Sequence, residues 1–202
     1  MIVPTVGRPT LARTLRALAR QLAPDDEAIV VGDGPQPAAR AIFEAHAAAS
    51  WRYFEHGPTN AWGAAQREFA IERAAGEVLC FVDDDDVHTR SGIAAIRRGA
   101  AEHPGRPLLF RMDWYGTTLW RRRSVEPRNV GTPIFVLPND PERIAPWGEG
   151  YLGDFEFITG TIELHGGVVW REEVVVRCRP QRLRRARRAA RRAAARVRQR
   201  LT

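Results

Sequence analysis

The stretch EVLCFVDDDDVH, residues 77–88, places four consecutive aspartates directly behind an apolar run. Residues 77–82 are typical of a central strand in a parallel sheet, because the run is apolar on both faces. Asp83–Asp86 then set four negative charges side by side, and like charges this close repel one another. Water around an exposed turn relieves that repulsion, and so does a bound divalent cation. The run by itself favours the solvated turn.

Strands and helices alternate on both sides of this run. Apolar runs predict strands at residues 2–4, 27–31, 51–56, 77–82 and 108–112. Helical spacing with Pro or Gly near the ends predicts helices at residues 11–22, 37–49, 61–75 and 90–102. The alternation indicates an α/β fold with a mostly parallel central sheet flanked by helices. Ligands of such sheets bind beyond the carboxyl ends of the strands, so Thr5, Asp33 and Asp83–Asp86 should converge on one crevice.

The chain beyond residue 113 is less regular. Short apolar runs alternate there with proline and glycine clusters, and one helix is expected near 151–164. We therefore predict one domain over 1–176, divided into halves at 1–112 and 113–176, and followed by an Arg/Ala-rich tail at 177–202.

The charge of the chain is divided unevenly between domain and tail. All 31 basic residues are arginine, and twelve of them fall between Arg177 and Arg200. Residues 1–176 carry 19 Arg against 24 acidic residues, a net charge of −5. The overall charge of +7 therefore belongs to the tail and does not mark the whole domain as a nucleic-acid binder.

The tail itself has three interpretations. Its few apolar residues recur at helical spacing and form a narrow stripe: Leu183, Ala186, Ala190, Ala193, Val197 and Leu201. Such a helix binds an anionic membrane surface, binds nucleic acid through phosphates, or stays solvated. We favour a solvated, partly helical tail with weak contact to anionic membranes, and we expect no nucleic-acid partner.

The remaining composition points to a cytoplasmic protein, peripheral at the inner membrane face where the tail meets lipid. Cys80 and Cys178 lie far apart in sequence and make no disulfide framework. No apolar segment is long enough to span a bilayer, and residues 1–9 show no secretion signal.

Several short motifs, in order, resemble a known family. They are Pro4-Thr5, Arg8, Asp33, Asn60, Gly63, Arg67, Ala75-Gly76-Glu77 and Phe81-Val82-Asp83. Their order and spacing resemble a GT-A glycosyltransferase, in the large inverting family that includes polysaccharide synthases and bacterial sugar transferases. The resemblance covers residues 1–110. It implies a Rossmann-like GT-A fold and metal-dependent transfer of a sugar from a nucleotide-diphosphate sugar to an acceptor hydroxyl, with inversion.

The resemblance also implies roles for the residues before the aspartates. Pro4, Thr5 and Arg8 would line the base, and Asp33 would accept a hydrogen bond from it. Asn60, Gly63 and Arg67 would bind the nucleotide-sugar. This chain departs from the family pattern at Trp62 and Glu68, where other residues are common.

The aspartates would hold the cation and the ribose. Asp83 would approach the ribose or the metal, and Asp84 the ribose. Asp85, with Asp86, would hold Mn²⁺ or Mg²⁺ against the diphosphate. His165 is a further candidate metal ligand. An EF-hand is excluded, because the sixth and twelfth positions from Asp83 are His88 and Ala94 rather than Gly and Glu.

The base that deprotonates the acceptor would be Asp154, in WGEGYLGDFEFI. An alternative role for Asp154 is that of a helix N-cap. Glu149 and Glu156 are the fallback bases, and Trp147 would stack on the acceptor, a saccharide or a lipid-linked saccharide.

Three other classes remain open. The first is a member of the fold that binds a nucleotide and transfers nothing. The second is a nucleic-acid-binding protein that acts through its tail. The third is a nucleotidyltransferase, of which the G-R-P-T at residues 7–10 is only a faint signature.

Overall fold

The computed structural model describes residues 1–148 and 150–178. The predictions for Glu149 and for the tail beyond residue 178 therefore lie outside the described residues. The helices are α1 Leu11–Ala19, α2 Pro37–Glu44, α3 Ala64–Ile71, α4 Gly92–Glu102 and α5 Gly153–Leu164. The strands are β1 Ile2–Thr5, β2 Ile29–Asp33, β3 Arg52–His56, β4 Val78–Cys80, β5 Asp86–His88, β6 Leu108–Trp114, β7 Thr117–Leu119, β8 Phe135–Pro138 and β9 Val169–Cys178.

The strands form two sheets that meet at one bridge. The first sheet has the order β1-β2-β3 and is parallel throughout, as predicted. The second has the order β4-β8-β6-β9-β5, with β7 paired to β6. A parallel bridge between Ile2 and Phe81 joins the two sheets. The second sheet is mixed, because β8 and β5 run antiparallel to their neighbours.

The helices bury the apolar faces that their spacing predicts. On α1, Leu11, Leu15 and Leu18 are fully buried against the sheet. From α5, Phe157 packs edge-on against Phe81 and Phe135, which links the second half of the chain to the strand that precedes the aspartates. Across the described residues no helix is both long and apolar enough to cross a bilayer. The predicted division of the domain at residue 112 stays a prediction.

The carboxyl edge of the sheet is the end at which β1, β2, β4, β6 and β9 finish. Strand β9 is parallel to β6 and antiparallel to β5, and it pairs Cys178 with Asp86. Asp86 therefore starts a strand, which the sequence did not predict. Helix α5 also begins at this edge, since its first turn carries Asp154. The expected convergence of loops is observed.

Candidate active site at the carboxyl edge

Asp33 ends β2, and the loop after β3 holds its carboxylate. Oδ1 accepts hydrogen bonds from the backbone N–H of Thr59 at 2.7 Å and from Nε2 of Gln66 at 2.9 Å. Oδ2 accepts one from the backbone N–H of Asn60 at 3.1 Å. A carboxylate oxygen can accept two hydrogen bonds, so Oδ2 keeps one lone pair for a ligand. Asn60 thus contributes its backbone N–H, and the contact of Gln66 was not predicted from the sequence.

Gly63 lets three parts of the crevice approach one another. It precedes α3 with φ +84°, a left-handed conformation that favours glycine. A Cβ at this position would lie 3.0 Å from Cβ of Pro4 and 2.8 Å from Nη1 of Arg67. Gly63 therefore brings the end of β1 against α3, and its role in binding a nucleotide-sugar stays a prediction.

Arg67 is buried at the centre of the crevice. Its guanidinium donates to the carbonyl of Trp62 at 3.1 Å and to Oδ1 of Asp83 in a close ion pair. It also lies over the ring of Trp147, with Cζ 5.2 Å from the ring centroid. These contacts fix the guanidinium in one position, so Arg67 orients Asp83 rather than reaching freely into solvent.

Asp84 turns inward and is saturated by the chain itself. Its side chain is 1% exposed. Oδ2 accepts from the Thr5 hydroxyl at 2.7 Å and from the backbone N–H of Val6, and Oδ1 pairs with Arg8 at 2.5 Å. The prediction that Asp84 contacts a ribose is therefore corrected: this carboxylate ties the loop after β1 to the loop after β4. The Thr5 hydroxyl therefore donates to Asp84 rather than to a ligand. The Arg8 side chain remains partly exposed.

Asp85 and Asp86 differ in their hydrogen-bond partners. Within residues 1–148 and 150–178, the Asp85 carboxylate accepts no hydrogen bond from another residue, and burial with its Asp84 and Asp83 neighbours raises its pKa. Asp86 is buried and accepts a hydrogen bond from Sγ of Cys178 at 3.1 Å. Burial, then the charge of Asp83, raises the pKa of Asp86 to about 8. Because Asp86 is buried and already accepts a hydrogen bond from Cys178, it is less available to a cation than Asp83 and Asp85, and its role as a metal ligand stays a prediction.

The residues that fit a cation are Asp83 and Asp85. No three His, Cys, Asp or Glu side chains of the described chain are grouped so as to hold a metal ion alone. Mg²⁺ and Mn²⁺, however, are often held by one or two carboxylates together with substrate phosphates. Asp83 is 40% exposed. Burial, together with the charges of Asp84 and Asp83, raises the pKa of Asp85 although Arg8 opposes the shift, and a cation would relieve the repulsion among these carboxylates. Two carboxylates therefore fit such a site, and metal dependence stays a prediction.

Asp154 lies in the first turn of α5, two residues beyond the N-cap Leu152. It is not the cap, so that alternative is wrong. Burial raises the pKa of Asp154, whereas the charge of Arg67 and backbone N–H groups lower it, and Asp83 raises it. Asp154 and Asp83 therefore share the field of Arg67 within one crevice. The sequence placed these residues correctly at one edge.

Trp147 and His165 depart from their predicted roles. Trp147 stacks on Phe157 at 4.1 Å between centroids, and its backbone N–H donates to Glu68. With one face covered by Phe157 and Arg67 over the ring, Trp147 supports Arg67 and offers no open platform for a sugar. His165 caps the far end of α5. The 12-residue helix α5 places it at the end opposite Asp154, so it is no ligand of a metal at the carboxyl edge.

A groove of about 800 Å³ lies at the opposite, amino edge of the sheet. Two of the acidic side chains that line it, Asp26 and Glu27, are paired within the chain. Glu27 accepts from the backbone N–H groups of Ala75 and Gly76, and Asp26 forms an ion pair with Arg97. The residues that the sequence predicts for the site, by contrast, gather at the carboxyl edge.

Comparisons with known proteins agree with this arrangement. The model of Glycosyl transferase family 2 matches residues 1–137. A crystal structure of S. aureus TarS 1-349 in complex with UDP-GlcNAc matches with a TM-score of 0.74 at 18% identity, covering 89% of this chain and 58% of that one. Another of S. aureus TarS matches with a TM-score of 0.74 at 15% identity, covering 89% of this chain and 36% of that one.

The chain thus spans roughly a third to three fifths of the length of these structures. Identities this low support the fold alone, and the predicted GT-A fold is confirmed. No curated protein matched the chain.

Proposed function

The chain belongs to glycosyl transferase family 2, and from that membership we propose that it transfers a sugar from a nucleoside-diphosphate sugar to an acceptor hydroxyl, with inversion. The observation that carries the proposal is the convergence of Asp154, Arg67 and Asp83 at the carboxyl edge. Such a displacement needs a carboxylate base, for which Asp154 is available, and a fixed positive group, which the Arg67 guanidinium provides beside the carboxylate of Asp83. The nucleotide-sugar named for S. aureus TarS, UDP-GlcNAc, supports the same donor class.

The donor would lie with its base at the ends of β1 and β2. The remaining lone pair of Asp33 Oδ2 would accept an N–H of the base, beside Pro4. Arg8 would reach the phosphates, since its side chain is 44% exposed while Asp84 holds it at the mouth of the crevice. Binding therefore relies on groups already oriented in the absence of ligand.

The chemical step would use Asp154 as general base. The acceptor hydroxyl oxygen attacks the anomeric carbon of the sugar as its proton passes to the Asp154 carboxylate. The bond from that carbon to the phosphate oxygen breaks, and its electron pair leaves with the nucleoside diphosphate. Attack from the face opposite the phosphate inverts the anomeric centre.

A divalent cation on Asp83 and Asp85 would neutralise charge on the departing diphosphate when it is bound. The chain's own contribution is to present the two carboxylates. Arg67 fixes Asp83, and the contacts of Asp84 with Thr5 and Arg8 hold the adjoining backbone in place.

The test is a donor screen with Mn²⁺, followed by transfer assays on variants. We expect one nucleotide-sugar to raise the melting temperature. Asp154→Asn should then lower the transfer rate by about 10²- to 10⁴-fold while donor affinity changes little. Asp85→Asn should instead weaken Mn²⁺-dependent donor binding.

Glu156→Gln is the matched control, because Glu156 is exposed on the same helix. If Glu156→Gln abolishes transfer and Asp154→Asn does not, the base has been misassigned. A donor that binds wild type but is never consumed with any acceptor would favour the non-catalytic class instead.

A further inference from the structure

Trp62 is the most exposed large apolar side chain in the part of the chain that the structure describes. It is 77% exposed, whereas Leu164, the next, is 50% exposed. A single exposed apolar residue is ordinary on a protein surface. The place of Trp62 is not, because it belongs to the loop between β3 and α3, which borders the candidate active site.

The loop at residues 57–63 spans the predicted nucleobase site from one wall to the other. Near its start, the backbone N–H of Thr59 donates to the Asp33 carboxylate at 2.7 Å. At its end, a Cβ on Gly63 would lie 3.0 Å from Cβ of Pro4. Asp33 and Pro4 are the residues beside which the nucleobase of the donor is predicted to lie. The exposed tryptophan belongs to the stretch of loop between these two contacts.

The backbone of Trp62 is held in place although its ring is exposed. Its carbonyl oxygen accepts from Nη1 of Arg67 at 3.1 Å, and the same guanidinium pairs with Asp83. Trp62 has φ +55°, a left-handed conformation that is unfavourable for a bulky residue. A ring that is 77% exposed removes little apolar area from water in return. Contact with a ligand would offset this cost, and strained residues of this kind cluster at ligand sites.

Trp62 is also the one aromatic residue in the loops around this site. Residues 6–10, 34–36 and 57–63, all within the described chain, contain no other Trp, Tyr or Phe. Trp147, farther along the crevice, has one face covered by Phe157. Every nucleobase has a π face, and stacking on an aromatic side chain contributes strongly to its binding. The loop therefore places a side chain suited to stacking beside a carboxylate suited to the edge of a base.

We propose that the indole of Trp62 stacks on the nucleobase of the donor while Asp33 accepts a hydrogen bond from the edge of the same base. The assignment rests on the proposed function, because it takes the donor to be a nucleoside-diphosphate sugar. Stacking supplies affinity for any base, whereas the hydrogen bond at Asp33 distinguishes one base from another. Trp62 is thus a residue for donor binding and takes no part in the chemical step.

The experiment is calorimetric titration of the full chain with UDP and with GDP in the presence of Mg²⁺. Inorganic diphosphate is the probe that carries no base. Trp62→Ala should bind the tighter of the two nucleotides at least about tenfold more weakly than wild type. Its affinity for inorganic diphosphate should not change, because only the base is lost from that comparison.

Two further variants separate stacking from folding. Trp62→Phe keeps an aromatic face, so its nucleotide affinity should stay within about threefold of wild type. The quenching of tryptophan fluorescence that the nucleotide causes in wild type should be lost in Trp62→Phe. Glycine adopts the left-handed conformation without penalty, so Trp62→Gly should melt no lower than wild type and yet bind nucleotide as weakly as Trp62→Ala.

Trp114→Ala is the matched control, since Trp114 is 46% exposed at the end of β6, outside this loop. It should bind nucleotide like wild type. Wild-type nucleotide affinity in Trp62→Ala overturns the proposal, and so does an equal loss of affinity for inorganic diphosphate. A Trp62→Ala variant that binds UDP normally but loses affinity for UDP-GlcNAc would place the ring on the sugar and also overturn it.

These titrations need neither an acceptor nor sugar transfer. A chain that shows the expected variant effects but never transfers a sugar would refute the proposed function and leave the role of Trp62 intact. An active transferase in which Trp62→Ala binds nucleotide normally would refute only the role of Trp62. A wild-type chain that binds neither nucleotide would refute both.

Discussion

The pKa values of acidic side chains are shifted in opposite directions at the two edges of the sheet. At the amino edge, burial raises the pKa of Glu27, but hydrogen bonds from Gly76 and Ala75 and the Arg52 pair outweigh it and lower the pKa overall. At the carboxyl edge, burial and neighbouring carboxylates raise the pKa of Asp85 and Asp86. Similar carboxyl groups thus end with pKa values shifted in opposite directions.

This difference in pKa indicates that the carboxylates at the amino edge stabilise the fold and that those at the carboxyl edge are available to a ligand. Carboxylates that are fully paired within the chain hold elements together, and Glu27 joins β2, β3 and the turn before β4. Carboxylates left crowded and underpaired are costly unless a cation or substrate completes them. The crowded, underpaired carboxylates therefore mark the crevice, rather than the groove at the amino edge, as the candidate site.

The largest expected effect is on acid stability and concerns His88, buried on β5 just behind the aspartates. Burial lowers its pKa to about 4 from 6.5. As the pH falls through 6.5, His88 becomes protonated in the unfolded chain, whereas in the folded chain it stays neutral down to about pH 4. Acid therefore favours the unfolded state. Relative to His88→Gln, wild type should lose about 3 kcal/mol of unfolding free energy across that window.

Denaturant unfolding at several pH values measures the difference. His88→Gln keeps every carboxylate, so their titration cancels between the two proteins. A difference that stays flat from pH 6.5 to 4 would locate the acid response in the carboxylates and weaken the contrast between the edges.

A smaller loss is expected from Asp84→Ala, which removes the internally paired carboxylate of the carboxyl edge. The Thr5 hydroxyl and the Val6 N–H would lose a buried acceptor, and Arg8 its partner. We expect destabilisation by about 2 kcal/mol, discounted because Arg8 is partly solvated. Urea denaturation measures it, with Asp84→Asn as the milder variant. A change below about 0.5 kcal/mol would mean that the loops hold without Asp84.

The smallest of these effects is expected from Glu27→Gln at the amino edge. One oxygen still accepts from a backbone N–H, so the loss should be about 1 kcal/mol, and donor affinity should not change. Asp26→Asn is the control, since its exposed pair with Arg97 should contribute less. A Glu27→Gln protein that loses donor affinity would show that the two edges are coupled.

Local patterns predicted the parallel half of the fold well. The strands before residue 83 and all five helices occur near their predicted places, because each depends on apolar spacing within its own segment. Strand β5 was missed. It is three residues long and begins with an acid, and it exists only because β9, about 90 residues later, pairs with it.

The site was predicted at the level of loops and less well at the level of side chains. Asp33, Arg67, Asp83 and Asp154 lie where the motifs put them. The roles predicted for Asp84 and Trp147 were wrong, since each depends on a partner that the local sequence does not reveal: Arg8 and Phe157. The prediction of His165 as a metal ligand was wrong because His165 and Asp154 lie at opposite ends of α5.

The sequence by itself determined the alternation of elements, the meeting of loops at one edge, and the separation of an acidic body from an arginine tail. Only the tertiary structure decided which of four adjacent aspartates is buried against Arg8, which is buried against Cys178, and which two stay partly exposed. Hydrophobic periodicity is a property of a segment, whereas the state of a carboxylate depends on its burial and on partners 76 to 92 residues away.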